Sequence, residues 1–391
     1  MNSAFLSLGF RPFFLGAGIW ACLAMGIWLA ALGGMGVPPT HLGLFAWHAH
    51  EMIFGFAAAV ISGFALTAVP EWTGRPPIRG GALGCLFALW VAGRVAMALS
   101  AIIGPLSAAL IDVAFLAVLC AVIAREIIKA GNRRNLVIAL ALALLFVANV
   151  VVHAGALGEG DGGALGLRLG LAVVVFLIML VGGRVTPAFT GNWLARAGAD
   201  RLPAPFGWID GGALGVGALA LGAWVAAPGA LATALLLLAA AGLHGLRLVR
   251  WRGAATAPEP LVWILHLGYA WLPVGLAALG LAYWGLGLTP GAALHGLSIG
   301  AIGTMTLAVM TRATLGHTGR PLAAGRGTVV AYVLVTAAAV PRLAAGAEWA
   351  AALPLSFVAG GLWIAGFGLF VLLYGPMHLA APVAAARSDD G

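Results

Sequence analysis

Charge is what this chain has least of. Asp, Glu, Lys and Arg make up 8% of its 391 residues, and 62% are hydrophobic. Soluble domains carry about a quarter charged residues, so a water-soluble fold is excluded and the class is integral membrane. Cysteine is scarce too. Cys22, Cys85 and Cys120 each sit in an apolar run and form no CxxC pair. That excludes a disulfide scaffold and leaves them as small packing residues. A secretory leader is missing: Arg11-Pro12 opens an apolar segment too long for a signal core, with no small-residue cleavage site, so it is expected to be a first span. No strand precedes the glycine-rich stretches, which excludes a phosphate-cradling loop. Glycines such as Gly296, Gly300 and Gly303, or Gly212, Gly215, Gly217 and Gly222, are expected to bring helices close together.

What is present is a succession of apolar runs, each near the roughly 20 residues that cross a bilayer. Twelve spans are expected, over 13–32, 48–70, 82–103, 108–129, 134–157, 165–187, 207–227, 229–250, 261–284, 291–313, 326–346 and 352–376. The break between the seventh and eighth, at Ala227-Pro228-Gly229, is the weakest. With the N-terminus in the cytoplasm, every basic residue except Arg94, Arg168 and Arg342 falls at the cytoplasmic end. A wrong span count would scramble that bias. The expectation is an all-α, polytopic membrane helix bundle. It forms one transmembrane domain over 1–391, with both termini cytoplasmic and a short polar tail over 382–391. The arginines are explained by topology, so no nucleic-acid partner is expected, and the membrane lipid is.

The topology sorts the ionisable groups by depth. Trp47-His48-Ala49-His50-Glu51-Met52 opens the second span at the outer face. His295 opens the tenth span at the same level, His153 ends the fifth there, and His41 lies in the outer loop. Neutral imidazoles ligate metals and heme. His48 and His50 project about 200° apart on a helix, so they serve different centres or different roles. Glu51, three residues after His48, can orient an imidazole or pass protons. His50-Glu51 begins an HExxH-like string, but Phe54 stands at the second ligand position, which excludes a zinc protease. A second polar layer is expected at the cytoplasmic side. It includes Arg184 in Gly182-Gly183-Arg184-Val185, His244, His266 with Tyr269, and His317. His378 is expected to be solvated.

Several of these strings resemble one family. Phe10-Arg11-Pro12-Phe13-Phe14, Trp47-His48-x-His50-Glu51, Gly63-Phe64-Ala65-Leu66-Thr67-Ala68 and Trp72-Thr73-Gly74 are followed in order by three more. These are Gly182-Gly183-Arg184-Val185, His266-Leu267-Gly268-Tyr269-Ala270-Trp271 and Leu315-Gly316-His317-Thr318-Gly319-Arg320-Pro321. Together they resemble the NnrS family over about 320 residues. One departure is Glu71, where the family commonly has Asn before the Trp-Thr-Gly turn. The resemblance implies a membrane protein that binds heme and copper and is linked to nitric oxide, often beside denitrification.

His48-Ala49-x-x-Met52-Ile53-Phe54, with Gly63 further on, is also similar to the second helix of the heme–copper oxidase catalytic subunit. That helix carries an axial heme histidine, and its partner lies on the tenth span. The likeness implies an oxidase-like arrangement in which His48 and His295 hold one heme, with His50 binding a second centre or tuning the first. The sixth span has no histidine and no His-His pair follows the seventh, so the oxidase's copper ligands are missing. Copper would draw on His153, His266 and His317, beside the heme-level His48, His50 and His295.

The expected function is a heme-dependent oxidoreductase of the bacterial inner membrane that acts on nitric oxide. Quinol would be the electron donor, with Glu51, Arg184 and Tyr269 as catalytic candidates. Two alternatives remain open: a transporter or metal-handling permease gated by the two polar layers, and a heme-based sensor or maturation factor without turnover.

Overall fold

The computed structural model describes residues 4–158, 162–346 and 352–382. Most of the tail expected over 382–391 therefore lies outside the described residues. Among these, twelve helices are long and apolar enough to cross a membrane. They are α1 Phe10–Leu32, α2 Leu44–Thr73, α3 Gly81–Ala98, α4 Pro105–Lys129, α5 Arg133–Leu157, α6 Gly163–Arg196, α7 Trp208–Ala226, α8 Leu231–Val249, α9 Pro260–Tyr283, α10 Pro290–His317, α11 Arg326–Ala344 and α12 Ala352–Leu379. The described residues contain no strand. The protein is thus an all-α polytopic membrane bundle. The shortest span, 18 residues, is about 27 Å long at 1.5 Å per residue, close to a hydrocarbon core of about 30 Å. The weak break between the seventh and eighth spans is real.

The helix starts follow from local chemistry. α4, α9 and α10 each begin on proline, whose missing N–H costs nothing in a first turn. The Glu259 carboxylate accepts from the Leu261 N–H at 3.1 Å and the Thr289 hydroxyl from the Ala292 N–H at 3.3 Å. The entry of α1 is tied to α2, because the Phe10 N–H donates to the Thr67 hydroxyl at 3.0 Å.

Two expectations about boundaries need correction. The sixth span does not stop at 187 but continues to Arg196, through Pro187. A proline inside a helix strands the carbonyl four residues earlier. Here that is Gly183, and its carbonyl accepts from Arg247 Nη2 at 3.3 Å, so the helix survives. His378 is not solvated. It is completely buried at the end of α12, its ring 5.6 Å from that of Phe10. Nearby, Arg11 Nη1 donates to the carbonyls of His378 at 3.0 Å and Ala380 at 2.6 Å. That contact satisfies open carbonyls at the end of α12 and joins the first span to the last.

α2 and α10 form the centre: 78% and 72% of their most apolar stretch is buried, against 33% for α7, α11 and α12. α2, α6 and α10 each contain a π-turn, Glu51–Ala57, Ile178–Gly182 and Gly296–Gly303. Such wide turns are uncommon and frequently mark functional sites. Alternating helix directions give the bundle a basic end, with Arg75, Arg196, Arg247 and Arg320, and an opposite end with His48, Arg94, His153 and His295. The outer surface is rich in exposed leucine and valine, such as Leu106, Leu235 and Val333, which suits contact with lipid.

Glycine-mediated packing holds in α10. A Cβ on Gly296 would lie 3.0 Å from the Gly275 Cα, and one on Gly300 would strike Trp271. In α7 it holds only for Gly217, whose added Cβ would meet Met179 and His244. Side chains at Gly212, Gly215 and Gly222 would meet nothing within 4 Å, because that face of α7 has no helix against it. The closest approach of a glycine to another helix's backbone joins α5 and α6. A Cβ on Gly166 would sit 2.5 Å from the Val152 backbone nitrogen and 2.7 Å from the Ala148 carbonyl. Gly166→Leu is therefore expected to destabilise the bundle by about 1–3 kcal/mol or more, the usual cost of overpacking, while Gly215→Leu leaves it unchanged. Unfolding midpoints in detergent compare the two, and equal midpoints would contradict this packing.

Candidate functional site

The opposite end of the bundle holds a buried polar network contributed by α2, α3, α4 and α5. His50 and Glu51 come from the start of the first π-turn, Arg94 from α3, Asp112 from α4, and Asn149 and His153 from α5. All six are at most 3% exposed. His50 Nδ1 faces Glu51 Oε1 at 3.1 Å. His50 Nε2 faces both Asn149 Oδ1 at 2.9 Å and Asp112 Oδ2 at 3.1 Å. Both ring nitrogens thus meet oxygen acceptors, the pattern of an imidazole carrying two N–H protons. Arg94 Nη1 donates to Glu51 Oε2 at 2.7 Å, and Nη2 donates to Asp112 Oδ1. Asn149 Nδ2 donates to Asp112 Oδ2 at 2.8 Å, and His153 Nε2 lies 3.0 Å from the same oxygen. Two carboxylates, one guanidinium and one doubly protonated ring sum to zero charge, which is how such a group persists in an apolar medium.

Small residues make the approach possible. A Cβ on Gly55 would collide with Arg94 Nη1 at 2.8 Å and Glu51 Oε2 at 2.9 Å, and one on Gly93 would crowd Asp112 Oδ1 at 3.1 Å. Trp90 Nε1 donates to the Gly55 carbonyl at 3.0 Å. His41, in the loop before α2, lies against His153 with ring centroids 6.3 Å apart. Burial, and then the neighbouring His153 and His50, push the His41 imidazole below its ordinary pKa. The ligand atoms of His50, Asp112 and His153 all lie within 4.8 Å of one another, the one such group of metal-ligating type found among the described residues.

His48 faces away from this network, as the two-residue spacing requires. Its ring stacks on Trp28 of α1 at 4.3 Å. His295 Nδ1 donates to the Gly291 carbonyl at 2.7 Å, which leaves the Nε2 lone pair free. Both residues are only partly buried, and His48 Nδ1 is buried without a hydrogen-bond partner. Both lie at the end of the bundle that also holds Arg342, near the close of α11.

The second layer, at the basic end, is a separate cluster. Tyr269 accepts from Arg247 Nη1 at 2.9 Å and shares a proton with His244 Nδ1 at 2.7 Å. Arg247 Nε donates to Asp210 Oδ1 at 2.8 Å. His266 Nε2 lies 2.7 Å from the Thr190 hydroxyl. Arg184 is half-buried on α6, and His317 packs beside Phe10 with ring centroids 5.6 Å apart.

The candidates are thus divided. Glu51 is at one end of the bundle, and Tyr269 and Arg184 are at the other, so these three do not form one catalytic group. His153 joins His50, but His266 and His317 are at the basic end and share no site with them. Arg94, Asp112 and Asn149 were not among the sequence candidates. Asp112 carried a usable signal, since a lone carboxylate within an apolar span marks a site by default.

Removing Arg94 leaves two buried carboxylates without their cation. Arg94→Met is expected to cost about 3–5 kcal/mol, as for other broken buried pairs. Arg75→Met, at a partly exposed ion pair with Glu126, is expected to cost at most about 1 kcal/mol. Denaturation curves measure both, and similar losses would argue against a network that holds the bundle.

A search of curated proteins finds no match to this chain. The family model described as NnrS protein matches residues 4–381. That span takes in all twelve helices and both polar layers, and the chain belongs to the NnrS family.

Proposed function

We propose that the protein is a heme-bearing redox protein of the bacterial inner membrane that acts on nitric oxide. Membership of the NnrS family supports the link to nitric oxide. The observation that carries the heme assignment is the pair His48 and His295. They stand on the two most buried spans at one end of the bundle, and both are only partly buried. An imidazole whose Nδ1–H is held by a carbonyl, as in His295, presents Nε2 as a ligand in a fixed orientation. His48 is held from the other side by its stack on Trp28. Arg342 supplies positive charge at the same level for the acidic groups of the cofactor. His48 and His295 would be the residues that hold the heme iron.

Bound heme would supply an iron centre that takes nitric oxide and exchanges single electrons. The chain supplies orientation and protons. Reduction of two nitric oxide molecules to nitrous oxide and water consumes two electrons and two protons, and a membrane quinol carries both. His50 and Glu51 are the proton-holding groups next to His48, and Arg94 keeps Glu51 in place.

For copper, the donor set that fits best is His50, Asp112 and His153. In a tetrahedral site with metal–ligand bonds near 2.0–2.1 Å the ligands stand about 3.3 Å apart. The separations from Asp112 Oδ2 are 3.1 Å to His50 and 3.0 Å to His153. An ion there would replace the N–H protons that both imidazoles direct at Asp112, while Arg94 would stay on the other carboxylate oxygen.

Two measurements test these assignments. Reduced-minus-oxidised spectra of the purified protein should show heme bands that fall at least tenfold in His48→Ala and in His295→Ala but persist in His317→Ala. Heme-free protein made with ample heme, or unchanged bands in the two variants, would refute the heme assignment. Elemental analysis should find copper lost from Asp112→Asn and His153→Ala with heme retained, and parallel loss from His266→Ala would point to a different copper site. Nitric oxide consumption with a quinol, followed by electrode, separates turnover from mere binding.

A further inference from the structure

Between the two polar layers lies a cleft bounded by α2, α5, α6 and α10, with about 700 Å³ of empty space including its open side. We propose that it is a docking chamber for a small uncharged gas molecule of the nitric oxide class, reached from the lipid; this choice of gas rests on the nitric oxide reading above.

Two of the π-turns line this cleft, and it reaches to within two residues of the third. Ala57 closes the first, Ile178 and Gly182 are the two ends of the second, and Met305 stands two residues after the end of the third. Such wide turns are uncommon, and here two of them border the same empty space. The lining is apolar apart from Thr306. That hydroxyl is already committed to the Ile302 carbonyl at 2.7 Å. Pockets for larger ligands use a few placed polar groups to fix orientation, and none is free here. A charged or strongly polar ligand would lose its hydration without replacement. What such a space does accept is a molecule needing no hydrogen bond: apolar cavities stay dry and take xenon or benzene. Ala57 lies nine residues after His48, roughly 13 Å along the helix, so an occupant would wait below the His48 and His295 level.

Xenon is the probe, because its binding requires no heme. Xenon-pressurised crystals, or xenon resonance shifts with protein in lipid nanodiscs, should place xenon in this chamber. Ala65→Leu, which fills the space, should lower its occupancy at least fivefold. Val309→Ala, which enlarges it, should raise occupancy, and it decides the matter alone if Ala65→Leu does not fold. Gly222→Leu, in the separate groove between α5, α6 and α7, should leave occupancy unchanged. Absence of xenon, occupancy indifferent to the lining variants, or an acyl chain found in the cleft would overturn the proposal. With xenon bound and heme present, nitric oxide association after photolysis should slow severalfold. An unchanged rate would overturn the gas assignment, whereas absence of heme would overturn the heme reading and leave the xenon result to judge the chamber.

Discussion

A carboxylate inside an apolar bundle is tolerable only when its charge is balanced and its lone pairs are occupied, and the structure depends on Asp112 meeting that condition. One oxygen takes Arg94, and the other takes Asn149, His50 and His153. These partners come from three helices besides the one that carries Asp112. Each must therefore sit at one depth and one rotation, because a shift by a turn would leave a buried charge uncompensated, at a cost of several kcal/mol. Dispersion between leucines tolerates sliding in a way that this network does not. The polar group thus sets the register of α2 to α5, while the close contact of Gly166 on Val152 sets the spacing of α5 and α6.

That register is what divides the Trp47–Phe56 stretch into two faces. With His50 turned into the network, His48 is turned out of it toward Trp28. One helix surface therefore borders a charge-neutral polar core on one face and Trp28 on the other, with Glu51 bonded to the same guanidinium that holds Asp112. The second polar layer repeats the logic with different parts. Arg247 is balanced by Asp210 and by carbonyls near the π-turn of α6, including the one that Pro187 leaves open. Between the layers the interior is apolar. The two therefore stand as separate sites.

The architecture was legible in the chain because hydropathy and charge act locally. A run of about 20 apolar residues must span the bilayer as a helix, and the bias of arginine to one side fixes the parity of the spans. Both needed only neighbours in sequence, which is why all twelve spans could be read. The depth of each histidine followed from the same rules, so the shared level of His48, His50, His153 and His295 was legible too. Errors arose where a distant side chain intervened, as with Arg247 rescuing the helix at Pro187 and Phe10 covering His378. The glycines of α7 failed for a related reason: spacing cannot tell a face that meets a helix from one that meets lipid.

By itself, then, the sequence determined the class, the number of spans, the family strings and the levels at which ionisable groups lie, since each is set by the solvent that a segment of given composition must occupy. Only the tertiary structure decided partnership. It joined His50 to Asp112 and His153, separated Glu51 from Tyr269 by much of the length of the bundle, and brought Arg11 to the end of α12. Such pairings depend on how helices rotate about their own axes. That rotation is chosen by the mutual satisfaction of buried charges and by backbone contact at glycine, which no single span contains.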